Sequence, residues 1–301
     1  MSRRLGDLAW TIGSPPICAP NPRWASAAQS RHELAEHRAW LEQLEPDELD
    51  AFVNVSGTRR LGLYFETLHA FWFARSPHRT LLADHVPIRR GAQTLGELDF
   101  VYDDGSGPVH CEIAVKFYLR VQAATGGFGL AGYVGPSLRD RFDWKLNKIA
   151  NAQSRRIELP ETRDALVALG IEPGRVRTEI RLKGVLFEPA GSETPRPDPV
   201  DAECLTGEWM TLGEWVESSP PEQEWHILDR LEWLYGPGPE RPALSVAATR
   251  TLLERHRRPV QLCQTSDGAI ERRVFIVPDG WSAQAREVAA SSPNRALGLR
   301  W

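Results

Sequence analysis

The chain has 301 residues, of which 42% are hydrophobic and 25% charged, with a formal net charge of −4. That is long enough for a real core and for one large or two modest domains. The charge balance excludes a uniformly basic binder, so any nucleic-acid contact must come from a local patch.

The start "MSRRLGDLAWTIGSPPICAP" is basic but has no continuous apolar segment of signal-peptide type. No later run approaches the roughly 18 apolar residues that span a bilayer. Residues 24–43 carry helix formers and few breakers, which predicts an exposed amphipathic helix. "SGTRRLGLYFETLHAFWFARSP" predicts a second helix, with Ser56 as its cap and Pro77 as its stop. Leu61, Tyr64, Phe65, Leu68, Phe71 and Trp72 follow at helical spacing. A strand is expected over 81–90, then a hairpin over 96–119, a Gly-rich connection over 120–137 and a helix over 137–156. "RVRTEIRLKGVLFEP" reads as a further strand. Residues 56–188 thus read helix, three strands, helix, strand. A strand reached through a helix ordinarily runs parallel to a neighbour, which favours an α/β layer.

Residues 189–203 are rich in Pro and acids and predict a linker or long loop. Beyond it, "TLGEWVE" and "EQEWHILDRLEWLY" suggest short helices, and 258–281 a hairpin turning at Asp267-Gly268. The expected divisions are an N-terminal helical extension (1–55), a core (56–188) and a C-terminal α+β region (189–301). Cys18, Cys111, Cys204 and Cys263 form no CxxC pair. They read as free thiols in a reducing, cytoplasmic setting, with structural zinc disfavoured and the Asn54 sequon a chance match.

The hairpin "GELDFVYDDGSGPVHCEIAVKFYL" holds the chemistry. Centring its turn on residues 104–107 makes facing positions sum to 211: Asp103 with Pro108, Val101 with His110, Asp99 with Glu112, Glu97 with Ala114. Opposed residues share a face with Cβ atoms about 5 Å apart. Two carboxylates so placed repel unless a shared proton, a basic side chain or a divalent cation restores balance. Lys116 shares that face, about 13 Å along the strand from Glu112 at roughly 3.3 Å per residue. Ala114 leaves a space opposite Glu97. The group predicts a cage for Mg²⁺. Alternating charge on a strand ordinarily marks a solvent face, but "CEIAVKFYL" is too apolar for an edge strand, and acids under a covering layer need partners.

"GELDFV", a turn, and a strand ending in an acid and a lysine resemble the PD-(D/E)XK, or restriction-endonuclease-like, nuclease superfamily. More closely, "LGLYFETLHAFWF", "GELDFV", "CEIAVKFYL" and "GPSLRDRFDWKLNKIANAQ" resemble, in order, a bacterial family known as domain of unknown function 1853, itself placed in that superfamily by remote similarity. The resemblance implies a restriction-endonuclease-like α/β core over about 56–188. It also implies phosphodiester hydrolysis with Mg²⁺ or Mn²⁺, DNA being the expected substrate. Asp99 matches the metal-binding aspartate, Lys116 the lysine, Glu66 the helix glutamate beside the metal, and Gln153 a helix glutamine of some branches. The usual acid two residues before the lysine is replaced by Ala114. Glu112, from a shifted position, or Glu97, across the pair, is left to supply it; alternatively the site binds without cleaving.

Further signals are weaker. Arg141, Lys145, Lys148 and Arg156 fall on one broad helical face, a phosphate-tracking ridge or a solvated surface shared with Asp140 and Asp143. Residues 127–132 spell GxGxxG without the βαβ context of a dinucleotide site. His110 reads as polar surface, the alternative being that it lines the acidic face opposite Val101. Trp209, Trp215, Trp225 and Trp233 are expected to pack as a C-terminal aromatic cluster.

Overall fold

The structure, a computed structural model, describes residues 2–122, 128–153, 155–266 and 269–292. Three helices come first: α1 (Arg3–Gly13), capped by the Ser2 hydroxyl, α2 (Ala27–Gln43) and α3 (Pro46–Ser56). Gly57 closes α3 in a left-handed conformation, φ +55°. Ser56 therefore ends a helix instead of capping the next, and α4 (Leu61–Arg75) starts after Arg60 with no side-chain cap. A glycine that adopts positive φ without steric cost outweighs a nearby serine as a boundary signal.

After α4 come β1 (Thr80–Arg90), β2 (Gln93–Asp103), β3 (Pro108–Arg120) and the short β4 (Tyr133–Val134). Next are α5 (Phe142–Lys148), a π-helical turn over Ile149–Gln153, α6 (Pro160–Ala168) and β5 (Arg177–Pro189). The remainder comprises β6 (Leu205–Thr211), α7 (Leu212–Ser218), β7 (Glu224–Leu228), β8 (Leu244–Ser245), α8 (Val246–Leu253), β9 (Val260–Ser266), β10 (Ala269–Val277) and α9 (Trp281–Ala290). The stretch read as helix around Trp225 is thus strand β7 followed by a 3-10 turn at Arg230–Glu232. Trp225 and Leu228 are buried, and pairing with β9 overrides local helix preference.

One mixed sheet runs β1-β2-β3-β5-β6-β10-β9-β7-β8, with β4 on β3. β1, β2 and β3 are antiparallel neighbours, and β5 lies parallel to β3 over Val109–Leu119 and Arg177–Phe187. The helix, three-strand, helix, strand order is present, with the final strand parallel. β6 then pairs parallel to β5, so the sheet continues past 189–203. Helices α1 and α4 cover one face, where Phe65, Leu68 and Trp72 meet Phe100, Cys111 and Ile113. On the other face Phe142 and Ile149 pack against Ala114, Tyr118 and Leu182. α7 and α8 enclose Trp215 and Trp225 there, further along the sheet.

The aromatic cluster divides accordingly. Trp215 packs on Trp225, whereas Trp209 meets Trp281 and Trp233 meets Phe275 on the opposite face. Helix α2 is also not the exposed amphipath expected: its contact face buries Glu33 and His37. All four cysteines are buried and free. Among the described residues no helix is long and apolar enough to cross a membrane. The turn residues Asp267 and Gly268, and Gly127 of the GxGxxG spelling, lie outside the described residues; Gly129–Gly132 forms a 3-10 turn.

Candidate active site

β2 and β3 pair in the register expected from the turn, with Asp103 on Pro108, Tyr102 on Val109, Val101 on His110 and Phe100 on Cys111. There the ladder stops and the strands part. Asp99 is the first residue past the last pair, and its Oδ2 accepts the Ile113 N–H at 3.0 Å. A carboxylate thus replaces the missing backbone partner. β1 yields at the same level: His85 has φ +48°, between the pairs Asp84–Phe100 and Val86–Leu98. On the other side β3 stays tightly bound to β5. Gly184 faces Lys116 at φ +148°, and a Cβ there would stand 1.7 Å from the Lys116 carbonyl oxygen. Only glycine permits that approach.

Alternation along β3 puts His110, Glu112, Ala114 and Lys116 on one face. Glu112 is buried; its Oε1 meets His110 Nε2 at 3.0 Å and its Oε2 accepts from Gln153 Nε2 at 2.9 Å. Arg156 Nη1 stands 3.8 Å from Glu112 Oε1. Gln153 Oε1 in turn accepts from Lys145 Nζ at 3.2 Å. Lys116 Nζ donates to Asp140 Oδ2 at 2.5 Å, and Tyr118 donates to the same oxygen at 3.1 Å.

Acidic neighbours crowd Asp99. Burial, then the Glu112 and Glu66 charges, push the Asp99 carboxyl well above the usual range despite the Ile113 hydrogen bond. Burial also raises Glu66, with Glu97 adding to the shift and His85 and Lys145 opposing it. Lys145 is lowered to about 8, by burial and then by Lys116 and Lys148. Glu66, Lys116 and Asp140 line a cavity of about 530 Å³ with Arg59, Arg60 and Arg230. Asp99 and Glu112 are off its lining.

Several expected positions are corrected. Glu97 does not face Ala114: its half-exposed side chain turns to His85, Oε1 to Nδ1 at 2.9 Å. Ala114 belongs to the apolar cluster with Tyr118 and Phe142. The facing rule fails there because the ladder has already ended. His110 is buried beside Glu112, not on the surface. The phosphate ridge does not form. Arg141 is buried, ion-paired to Asp143, and donates to the carbonyls of Val288, Ala289 and Ser291 at the end of α9. Lys145 and Gln153 turn inward, Arg156 crosses Gly96 to donate to the Glu97 carbonyl, and Lys148 is exposed. Past Lys148 the π turn changes the angular step, so 100° spacing no longer assigns faces. No sequence pattern marks Asp140 as the partner of Lys116. His110 was legible as the i,i+2 neighbour of Glu112, on the same face.

Among the described residues, no three His, Cys, Asp or Glu side chains are grouped to hold a metal ion. The donors still suit a Mg²⁺-class ion in kind, since that ion takes one or two carboxylates and completes its shell with waters and phosphate. Asp99 and Glu66 carry mutual repulsion that a cation relieves. Glu112 fits only by sharing oxygens now held by His110 and Gln153.

No curated protein and no solved structure matches the chain. Residues 6–277 match the family described as domain of unknown function (DUF1853), and the chain belongs to that family.

Proposed function

We propose that the chain is a Mg²⁺- or Mn²⁺-dependent nuclease with a restriction-endonuclease-like core, acting on DNA in the cytoplasm. The observation that carries this reading is the fork between β2 and β3, where the Glu112 and Glu66 charges add to burial in raising the Asp99 carboxyl. The helix, three-strand, helix, strand order with β5 parallel to β3 supports the same core. The four free thiols suit a reducing compartment.

Asp99, with Glu66 or Glu112, would hold the ion, which polarises the scissile phosphate and acidifies an attacking water. The residues of the chain do the rest. Lys116 is held by the Asp140 carboxylate, so it serves best as a cation facing charge that develops on phosphoryl oxygens. Lys145, bridged to Glu112 through Gln153, sits close enough to Asp99 to offset part of its charge.

One observation favours a second reading, a catalytically degenerate nucleic-acid- or protein-binding module: both Glu112 oxygens are already engaged. Incubation with Mg²⁺ or Mn²⁺ and varied DNA and RNA separates the two. Cleavage that disappears in Asp99→Ala supports the nuclease. Cleavage that survives moves the chemistry elsewhere, and calorimetry showing no Mg²⁺ binding, even with nucleic acid present, favours the module.

A further inference from the structure

The cavity over Lys116 is one end of a longer trough. It shares Pro136, Ser137, Arg230 and Trp233 with a second cavity of about 420 Å³, which runs past Arg139 to Arg257 and Arg258. Common walls make the two a single furrow, from the start of α4 to the turn between α8 and β9. Six exposed arginines line it: Arg59, Arg60, Arg139, Arg230, Arg257 and Arg258. None of the six forms an ion pair among the described residues. The carboxylates on the same walls are Glu66, Asp140 and Asp279, and Asp140 is already taken by Lys116 and Tyr118.

This concentration of charge is local. The chain as a whole is acidic, at −4, so unpaired guanidinium groups along one trough are not a by-product of bulk composition. Mutual repulsion makes such an array unfavourable unless an anion lies along it. Guanidinium is also the group best shaped to grip phosphate through two parallel hydrogen bonds. The walls are held in place: Trp281 Nε1 donates to the Pro136 carbonyl at 2.9 Å, the Gly135 N–H donates to Asp140 O at 2.8 Å, and Arg230 lies over the Trp233 ring at 5.3 Å. Arg230, Arg257 and Arg258, with Trp233 and Trp281, come from beyond residue 188, which gives the C-terminal region a role.

We propose that this furrow is the phosphate track of the site, holding a nucleic-acid strand whose backbone passes from Arg257 and Arg258, by Arg139 and Arg230, to the acid pocket. The proposal rests on the nuclease reading for what lies at the end of the track, but not for binding itself. A repeating phosphodiester fits a furrow with cations spread along it, whereas a single nucleotide would reach only a few of them. The track replaces the α5 ridge, whose Arg141 is committed to α9.

The test is fluorescence anisotropy of labelled single-stranded DNA, duplex DNA and RNA in EDTA, across a salt series, so that no cleavage enters. Arg257→Glu/Arg258→Glu and Arg139→Glu are compared with the wild type and with Arg163→Glu, an exposed arginine of α6 outside the furrow. The charge-neutral Arg257→Gln/Arg258→Gln guards against a folding defect, and thermal melts accompany each variant. The furrow variants should weaken binding about tenfold or more, and flatten the salt dependence by about one unit of slope for each phosphate no longer gripped. Arg163→Glu should do neither. The proposal is overturned if the wild type binds none of the three nucleic acids. It also falls if the furrow variants match the wild type or Arg163→Glu, or if poly-glutamate competes as well as an oligonucleotide. Metal-dependent cleavage abolished by Asp99→Ala with furrow variants binding normally would sink the track alone. Loss of binding in those variants without any cleavage would sink the nuclease alone.

Discussion

Two groups of buried charge flank the middle of the sheet, and they are built on opposite principles. Where α2 meets β5, Arg181 grips Glu33 through two hydrogen bonds of 2.7 and 2.6 Å and also pairs with Glu179. Glu179 further accepts from Gln29 and Tyr102, and Lys183 Nζ donates to the carbonyls of Thr11 and Ile12 at 2.8 Å each. Burial alone would raise the Glu33 carboxyl, but Arg181, Lys183 and Arg79 pull it down to about 2. At the fork, by contrast, burial and neighbouring acids drive Asp99 upward. Charges closed into a network by their own partners hold structure together. Charges pushed from their ordinary range by burial and like neighbours mark candidate ligand sites.

The sharpest way to break this contrast is to remove one member of the closed network. Arg181→Ala should cost about 3–5 kcal/mol in urea denaturation, because the buried Glu33 loses its bidentate partner and the part-buried Glu179 its cation. A loss below about 1 kcal/mol would mean that the network is not what secures α2. The Glu33 contribution is present above the ordinary glutamate pKa and fades as pH falls toward about 2.

Asp99→Asn should act in the other direction. The folded pKa of Asp99 lies near 7 against an ordinary 3.8, so between those values the native state binds more protons than the unfolded one. Stability from this group is full below the lower value and lost as pH rises through about 7. Asparagine removes that loss. The variant should be about as stable as wild type near pH 4 and more stable at pH 8, by on the order of 1–3 kcal/mol. Thermal melts at the two pH values check it. A variant that is less stable at pH 8 would place Asp99 among structural charges.

The same contrast explains how far sequence reading reached. The hairpin register was legible because a four-residue turn and strict alternation leave one consistent pairing, and it holds from Asp103 on Pro108 to Phe100 on Cys111, one step short of the expected Asp99–Glu112 pair. Glu97 was misplaced because a pairing rule carries no sign of where strands separate. Beyond the fork, Arg156 from another element crosses Gly96 to reach the Glu97 carbonyl, which no pairing rule announces. The ridge on α5 failed because Arg141 is the N-cap, buried against the end of α9, Lys145 turns to Gln153, and a π turn that helical periodicity does not announce intervenes before Arg156. Around Trp225, strand pairing with a segment some 35 positions away (His226 with Cys263) overrode local preference. The furrow was invisible in composition, since its arginines lie scattered from Arg59 to Arg258 and only folding gathers them.

The central claim is that the acids at the fork form a cation site. Mn²⁺ soaked into crystals, read by anomalous scattering, tests it most directly. A cation site there gives a peak within roughly 2.0–2.6 Å of an Asp99 carboxylate oxygen and of Glu112 or Glu66, absent in Asp99→Ala. A peak elsewhere, or none with Asp99 still bonded only to Ile113, would contradict it.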